Sequence, residues 1–390
     1  MSPWLNQLWF RIKYPFKLSL YAALDFSVRQ QPVKTREKTL LIFRLDLLGD
    51  YLLSQTFFGQ VAERGRFDGY KLTLCCNELV ADLAQELHED LFENFIFLNR
   101  ARFLNDVSYR FKVLTEIRSR GFEVVVCPMH TRQFLLESVV WCSGAVERIG
   151  AMPVGYHMKA WQHKLSKKFY TEIIETQHEP TFEFYRNRQF FCKLTVQDLP
   201  VNNNSLQVKT KWLGMAPDVD FVIMAPGASV LQRQWPVENF AKLADQIYFQ
   251  LGFPIYVLGS QQEQHLFAKM KAMVNTDVIL QDLTGKLTLP QAIGFISRAS
   301  LLISNESGPV HMAAMVSTPT ICLSNGNHFR RWNPYPQLIS PNVFTLYPDA
   351  FFELDRKGQL QAHTRGSKIS MNEIKTEQVW DEVNRVLNPV

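Results

Sequence analysis

The sequence predicts an α/β protein of two domains, each a parallel sheet covered by helices on both faces, with a cleft between them. Three observations carry that expectation. Short runs that are almost wholly apolar, such as 39-TLLIFRL-45, 122-FEVVVC-127 and 220-DFVIMA-225, have the length and continuity of strands buried on both faces. They alternate with stretches of helical periodicity, which is the rhythm of βαβ units. The chain, at 390 residues, exceeds one ordinary domain, and its 46% hydrophobic and 20% charged content excludes global disorder, a collagen-like fibre and a continuous coiled coil.

The first 38 residues stand apart. Seven basic and two acidic side chains there account for the whole net charge of +5, so the remaining 352 residues are formally neutral. A neutral body argues against nucleic acid as a partner. Trp4, Leu5, Leu8, Trp9 and Ile12 fall on one face of a short helix, and Phe16, Leu20, Tyr21 and Leu24 extend the apolar surface beyond Pro15. Arg11, Lys13 and Lys17 would then reach lipid headgroups, which suggests a monotopic anchor on an anionic leaflet. A helix packed on its own domain is the competing reading. No run is long and apolar enough for a transmembrane helix. The six cysteines, Cys75, Cys76, Cys127, Cys142, Cys192 and Cys322, show no paired metal-ligand spacing and read as reduced, largely buried thiols of a cytoplasmic protein.

In chain order, the appendage of residues 1–38 leads to an acceptor-side domain over 39–205. Strand 39–45 is followed by a helix over 51–63, strands 70–76, 95–98 and 122–127, and helices near 78–88, 106–120 and 132–142. From Val154 to about Lys211, rich in Lys159, His163, Lys164, Lys167 and Lys168, the chain reads as helices crossing to a linker. The second block, 206–352, alternates strand 220–225, helix 237–251, strand 253–259, helix 261–273, strand 277–280, helix 289–298, strand 300–304, helix 308–316 and strand 319–323. The polar stretch 353–372 reads as an excursion or mobile loop. Residues 373–387 form a helix that should dock through Ile374, Val379, Val383, Val386 and Leu387.

Three segments can carry chemistry, each lying just beyond a strand, where open parallel sheets bind ligands. In 44-RLDLLGD-50, Gly49 permits a tight approach and Asp50 starts a helix, as either a general base for a hydroxyl or an ordinary N-cap. Asp46 is the competing carboxylate. In 226-PGASVLQRQWP-236, the backbone at Gly227, Ala228 and Ser229 offers N–H groups and Arg233 can pair with phosphate, while Trp235 reads as core. Neither GxxxxGK(S/T) nor GxGxxG is present, so P-loop hydrolysis and dinucleotide binding lose support. In 304-SNESGPVHMAA-314, Glu306 can reach ribose hydroxyls, the Ser307 and Gly308 backbone faces phosphate, and His311 can bind or protonate a diphosphate oxygen. Downstream, 325-NGNHFRRW-332 offers Asn327, His328, Arg330 and Arg331 to a phosphorylated acceptor or simply to solvent.

The order RLDLLGD, PGASVLQRQWPVENFAKLA, LTGKLTLPQAIGFISRASLLISNESGPVHMAA and a terminal helix resembles the heptosyltransferase family of glycosyltransferases, over roughly residues 39–350 plus the last helix. The resemblance implies a GT-B architecture, two Rossmann-like domains, and an inverting, metal-independent enzyme of lipopolysaccharide core synthesis. It implies no resident cofactor, ADP-heptose as donor, a lipid-linked saccharide acceptor and a place on the cytoplasmic face of the inner membrane. By the same resemblance Asp50 is the base, Arg233 stands where a phosphate-binding lysine is usual, and Glu263 contacts the nucleotide. Thr284 and Gly285 match the Thr-Gly that approaches the nucleobase, and Glu306, Ser307, Gly308 and His311 match an Asp-Ser/Thr-Gly-x-x-His cluster with its aspartate lengthened. Arg44, Lys159, Lys164 and Arg330 are the cations expected on the acceptor side. Arginine for lysine and glutamate for aspartate allow two alternatives: a glycosyltransferase using another nucleotide sugar, or a catalytically degenerate sugar-nucleotide-binding scaffold. A Rossmann oxidoreductase is the third rival.

Overall fold

The computed structural model describes residues 3–63, 65–153, 158–177, 180–199, 201, 205–214 and 216–388; the side chains of residues 3–13 and of Ala62 lie outside that description. The expectations placed on Trp4, Leu5, Leu8, Trp9, Arg11, Ile12 and Lys13 therefore fall outside it. Two compact units are present. The first comprises Met1–Leu47, Phe58–Thr176 and Gln189–Gln197, and the second Leu48–Phe57, Gln177–Arg188 and Asp198–Val390.

The first unit is built on β1 (Arg36–Arg44), β2 (Lys71–Asn77), β3 (Asn94–Leu98), β4 (Phe122–Cys127), β5 (Glu147–Ala151) and β6 (Glu172–Ile174). All six are parallel, in the order β3-β2-β1-β4-β5-β6. Leu40, Leu41, Ile42 and Phe43 of β1 are all fully buried, as a central strand covered on both faces requires. The second unit repeats the winding with β7 (Val222–Ala225), β8 (Ile255–Val257), β9 (Leu280–Asp282), β10 (Leu301–Asn305), β11 (Thr320–Leu323) and β12 (Val343–Leu346), in the order β12-β11-β10-β7-β8-β9. In each sheet the strand order reverses between the first and fourth strands, which places a ligand-binding crevice at the carboxyl ends of β1 and β4 and of β7 and β10.

Several expected elements need correction. The single helix over 51–63 is broken into Leu48–Leu52, a 3-10 turn at Gln55–Phe57, and Gln60–Glu63. Ser54 contributes to the first break, its hydroxyl donating to the Tyr51 carbonyl in competition with the helix ladder. Over 132–142 only Ser138–Cys142 is helical. The supposed linker region contains β6, and β5 just before it carries the charged Glu147 and Arg148. Gly150 in β5 lies against the Tyr170 ring, which a Cβ would strike. The third strand of the second block pairs over Leu280–Asp282, later than 277–280, and β12 is an edge strand of four residues.

The polar stretch 353–372 is a correction of kind. It contains a helix, Arg356–Arg365, capped by Asp355, whose carboxylate accepts from the Gly358 N–H at 2.7 Å, and Ala362 and His363 on it are buried. The terminal helix Thr376–Leu387 docks as expected, burying Val379 and Val383 beside Ile374 in the core of the second sheet.

The N-terminal segment is one helix, Pro3–Gln30, which continues through Pro15. Its later half is no loose appendage. Tyr21, Asp25 and Val28, at helical spacing, are buried. Arg110, on the helix Val107–Arg120, is buried and holds Asp25 bidentately at 2.9 and 2.7 Å, while Arg118 donates to the carbonyls of Arg29 and Gln31 at the helix end. Among the described residues no helix is long and apolar enough to cross a membrane.

Candidate active site

The site forms in the second unit where β7 and β10 end. Asn305, the last residue of β10, stitches the two following loops together: its Oδ1 accepts from the Trp235 N–H at 2.9 Å and its Nδ2 donates to the Pro226 carbonyl at 2.7 Å. Trp235 is core, as expected, and its indole N–H donates to the Ile374 carbonyl at 2.9 Å. Sequence reasoning passed over Asn305, although it directly precedes Glu306. Gly227 opens the first loop, and a Cβ there would collide with the Glu263 carboxylate. Glu263 is oriented by its own turn, one oxygen accepting from the Ser260 N–H at 2.6 Å and hydroxyl at 2.8 Å. Gly285 has φ +69, its N–H donates to the Gly259 carbonyl at 2.9 Å, and a Cβ would come within 2.8 Å of Gln261. Thr284 beside it is buried and bonds Asp282. Gly227, Glu263, Thr284 and Gly285 thus lie together beyond the ends of β7, β8 and β9, with Ser229 exposed on the first loop.

Arg233 and Glu306 form the ionic centre. Arg233 Nη2 donates to the Glu306 carbonyl oxygen at 2.6 Å and approaches its carboxylate at 3.2 Å, while its Nε has no partner. Glu306 is buried, and its second oxygen accepts from the Ser324 hydroxyl. Burial pushes the Glu306 carboxyl up, opposed by the Arg233 charge and by hydrogen bonds from Ser324 and Asn333. Each Glu306 oxygen thus has one partner inside the protein, and the side chain orients Arg233. Ser307 is extended at the start of the helix Gly308–Met315, its hydroxyl donating to the Asn305 carbonyl at 3.1 Å, and a Cβ on Gly308 would press on Leu48 at 2.9 Å.

His311 is buried on that helix. Its Nδ1 lies 2.5 Å from the hydroxyl of Tyr335, which burial holds firmly protonated. The direction of this bond follows the tautomer of the imidazole. Burial and then the nearby Arg233 charge push His311 down to about 4, so near neutrality it is an N–H donor and not a proton source for the diphosphate. Against this ring lies Gly49, where a Cβ would come within 2.6 Å of the imidazole. That approach seats the helix Leu48–Leu52 and with it Asp50, in its first turn and not at its cap. Asp50 accepts from the Trp332 indole N–H at 3.2 Å, a partner 282 residues away.

The cations expected on the acceptor side are distributed over both units. Arg44, in the first unit, is buried and paired with Asp46 at 3.0 Å. Lys159 and Lys164 are exposed beside the N-terminal helix, Lys159 lying 6.0 Å from the Tyr14 ring. Arg330 is exposed in the second unit over the Phe329 ring. Their chemistry was legible, whereas their placement depends on helices and loops that no local pattern marks.

Depressed histidines make stability depend on pH. His88, His311 and His328, whose lowering to about 4 is dominated by burial, have an ordinary value near 6.5 when unfolded. Between those values the unfolded chain binds more protons, so their contribution is complete above about pH 6.5 and drains away as pH falls toward 4. The thermal midpoint is expected to drop across that window, and His311→Gln to flatten the slope by up to one proton in the same calorimetric series.

Two doubly wound parallel sheets, the second with glycine-lined loops and an arginine at its crevice, define the GT-B class of glycosyltransferase folds. Residues 131–350 match glycosyltransferase family 9 (heptosyltransferase), and the chain belongs to that family. The matched stretch begins later than the expected 39–350 and does not include Asp50. Lipooligosaccharide heptosyltransferase 2 of Haemophilus influenzae is 29% identical over 182 residues, covering 46% of this chain and 50% of that one. The chain thus spans about half the length of the curated relatives it matches. A glycosyl transferase of family 9 from Veillonella parvula superposes with a TM-score of 0.70 at 20% identity, covering 92% of this chain and 99% of that one. The Escherichia coli heptosyltransferase WaaC with ADP-2-deoxy-2-fluoro heptose superposes at 0.66 and 14% identity, covering 89% and 99%.

Proposed function

We propose that this protein transfers heptose from ADP-heptose to a hydroxyl of a lipopolysaccharide core acceptor, with inversion and without a divalent ion. The observation that carries the reading is the seating of Asp50, through Gly49, against the same His311 that lies in the field of Arg233. A carboxylate and a phosphate-binding cation thereby share one compact unit. The acceptor hydroxyl gives its proton to Asp50, and its oxygen forms the new bond to the anomeric carbon. The bond from that carbon to the diphosphate oxygen breaks on the opposite face. ADP departs with the electron pair, met by the Arg233 guanidinium, His311 and backbone N–H groups at Gly227 and Gly308. Glu263, Thr284 and Gly285 are suited to the nucleoside. The heptose donor and the core acceptor are supported by the ADP-fluoroheptose complex of WaaC and by the activity named for the Haemophilus relative.

A seat on an anionic bilayer is supported by the first unit. Trp161, Lys164, Leu165 and Lys168 are exposed at helical spacing, with Trp161 47% and Leu165 40% accessible. Gln162 bonds the Tyr14 hydroxyl at 3.0 Å, joining this helix to the N-terminal one, whose Phe16 is 71% exposed. Lys164 is thereby better suited to lipid phosphate than to the saccharide.

The test is incubation with ADP-heptose and competing UDP-, GDP- and ADP-hexoses, with truncated lipopolysaccharide presented in phosphatidylglycerol vesicles and products read by mass. Heptosyl transfer from ADP-heptose is expected, and vesicle binding is expected to fall when Lys164 and Lys168 are both replaced by glutamine. Transfer only from another donor would reject the heptose reading, and donor binding without transfer would favour the scaffold.

A further inference from the structure

Strand register brings a further side chain to the ionic centre. β10 and β11 run in parallel with Asn305 opposite Leu323, and just beyond that pair the Glu306 N–H donates to the Leu323 carbonyl at 2.9 Å. Glu306 and Ser324, the residues that follow the two strands, therefore stand side by side. Ser324 is buried, and its own N–H is held by the Leu346 carbonyl of β12 at 3.0 Å. Its hydroxyl oxygen accepts from the Gly326 N–H at 3.0 Å, and its proton is directed at the Glu306 carboxylate. Asn333 adds a further hydrogen bond to that carboxylate. Glutamate has one side-chain torsion more than the aspartate usual at this place in the family, and these two donors restrain it.

The other side of Glu306 faces Arg233. One guanidinium nitrogen, Nη2, meets two acceptors of the same residue, the Glu306 carbonyl at 2.6 Å and its carboxylate at 3.2 Å. The two protons on that nitrogen lie in the plane of the fork, so a pair of acceptors fixes the plane where the carbonyl alone would leave it free to turn. The arginine side chain remains 19% exposed toward the crevice beyond β7 and β10.

We propose that Ser324 is a positioning residue for Arg233: by holding the Glu306 carboxylate, it sets the plane in which the guanidinium is offered to the donor diphosphate. This rests on the reading of Arg233 as the cation for that diphosphate. Ser324 is itself buried, so it acts through Glu306 and not on the ligand. Its effect falls on donor affinity, and the acceptor is bound independently of it.

The test compares Ser324→Ala, which removes the hydroxyl, with Ser324→Thr, which retains it, each in the wild-type chain and in Arg233→Gln. ADP affinity is measured by titration calorimetry on the full chain, together with the thermal midpoint and the KM for truncated lipopolysaccharide. A hydrogen bond to a charged group supports an expected loss of about tenfold in ADP affinity for Ser324→Ala, with the acceptor KM unchanged and Ser324→Thr near wild type. In the Arg233→Gln background the alanine replacement is expected to cost ADP affinity nothing further, because no guanidinium is left to orient. Wild-type ADP affinity for Ser324→Ala beside a weak Arg233→Gln overturns the positioning role and leaves Arg233 as the diphosphate cation. An equal loss in both backgrounds also overturns it, since that marks a loosened loop and not an unaimed arginine. Near-wild-type ADP affinity for Arg233→Gln overturns the reading of Arg233 itself.

Discussion

Asp50→Asn is expected to reduce single-turnover transfer by about 10²–10⁴-fold, the range that a positioned general base contributes, while fold and donor affinity stay near wild type. Asparagine preserves the size of the side chain, and its amide oxygen still accepts from the Trp332 N–H. What it lacks is the basicity to take a proton from the acceptor hydroxyl. Asp50 does not cap its helix, so loss of a cap would not explain a lowered rate. Calorimetry, donor binding and single-turnover transfer on the same two proteins separate the outcomes. A rate within a few-fold of wild type at saturating substrates removes Asp50 from the chemistry. A loss confined to donor affinity moves it to the nucleotide.

Arg233→Gln is expected to have the second large effect, and on two observables. Donor affinity should fall steeply, because the positive charge available to a diphosphate is removed. Stability should fall as well, since Glu306 is left buried without its cation, a loss of about 3 kcal/mol for breaking a buried pair. The two effects separate in Arg233→Gln/Glu306→Gln, where a neutral pair fills the same space. Its thermal midpoint is expected to recover most of the loss while donor binding stays weak. Donor binding that recovers together with stability would show that Arg233 serves only the fold.

The legible parts of this molecule are those written in contiguous residues. Apolar runs became central strands, and Gly49-Asp50, 226–236 and 306–311 were found because a loop beyond a buried strand is a place, not merely a composition. What escaped depends on partners remote in the chain. Glu306 reads as an available carboxylate until Ser324 and Arg233 occupy it. Trp332 reads as one more aromatic in a basic loop until a residue 282 positions earlier accepts its hydrogen bond. The edge strands β6 and β12 are short and β5, next to an edge, is charged, since the margin of a sheet needs fewer apolar side chains than its centre. The helix Arg356–Arg365 did carry a local signal, Asp355 before it and Gly366 after it, outweighed by the polarity of its solvent face.

The buried pair of Asp25 and Arg110 has a consequence in time. The arginine that holds Asp25 is encoded 85 residues after it. At about 5–20 residues per second, that gap corresponds to about 4–17 s of synthesis. Throughout this interval Tyr21 and Val28 have not yet met the helix that will cover them. Their burial waits on a contact that synthesis supplies only after β1, β2 and β3 have been made.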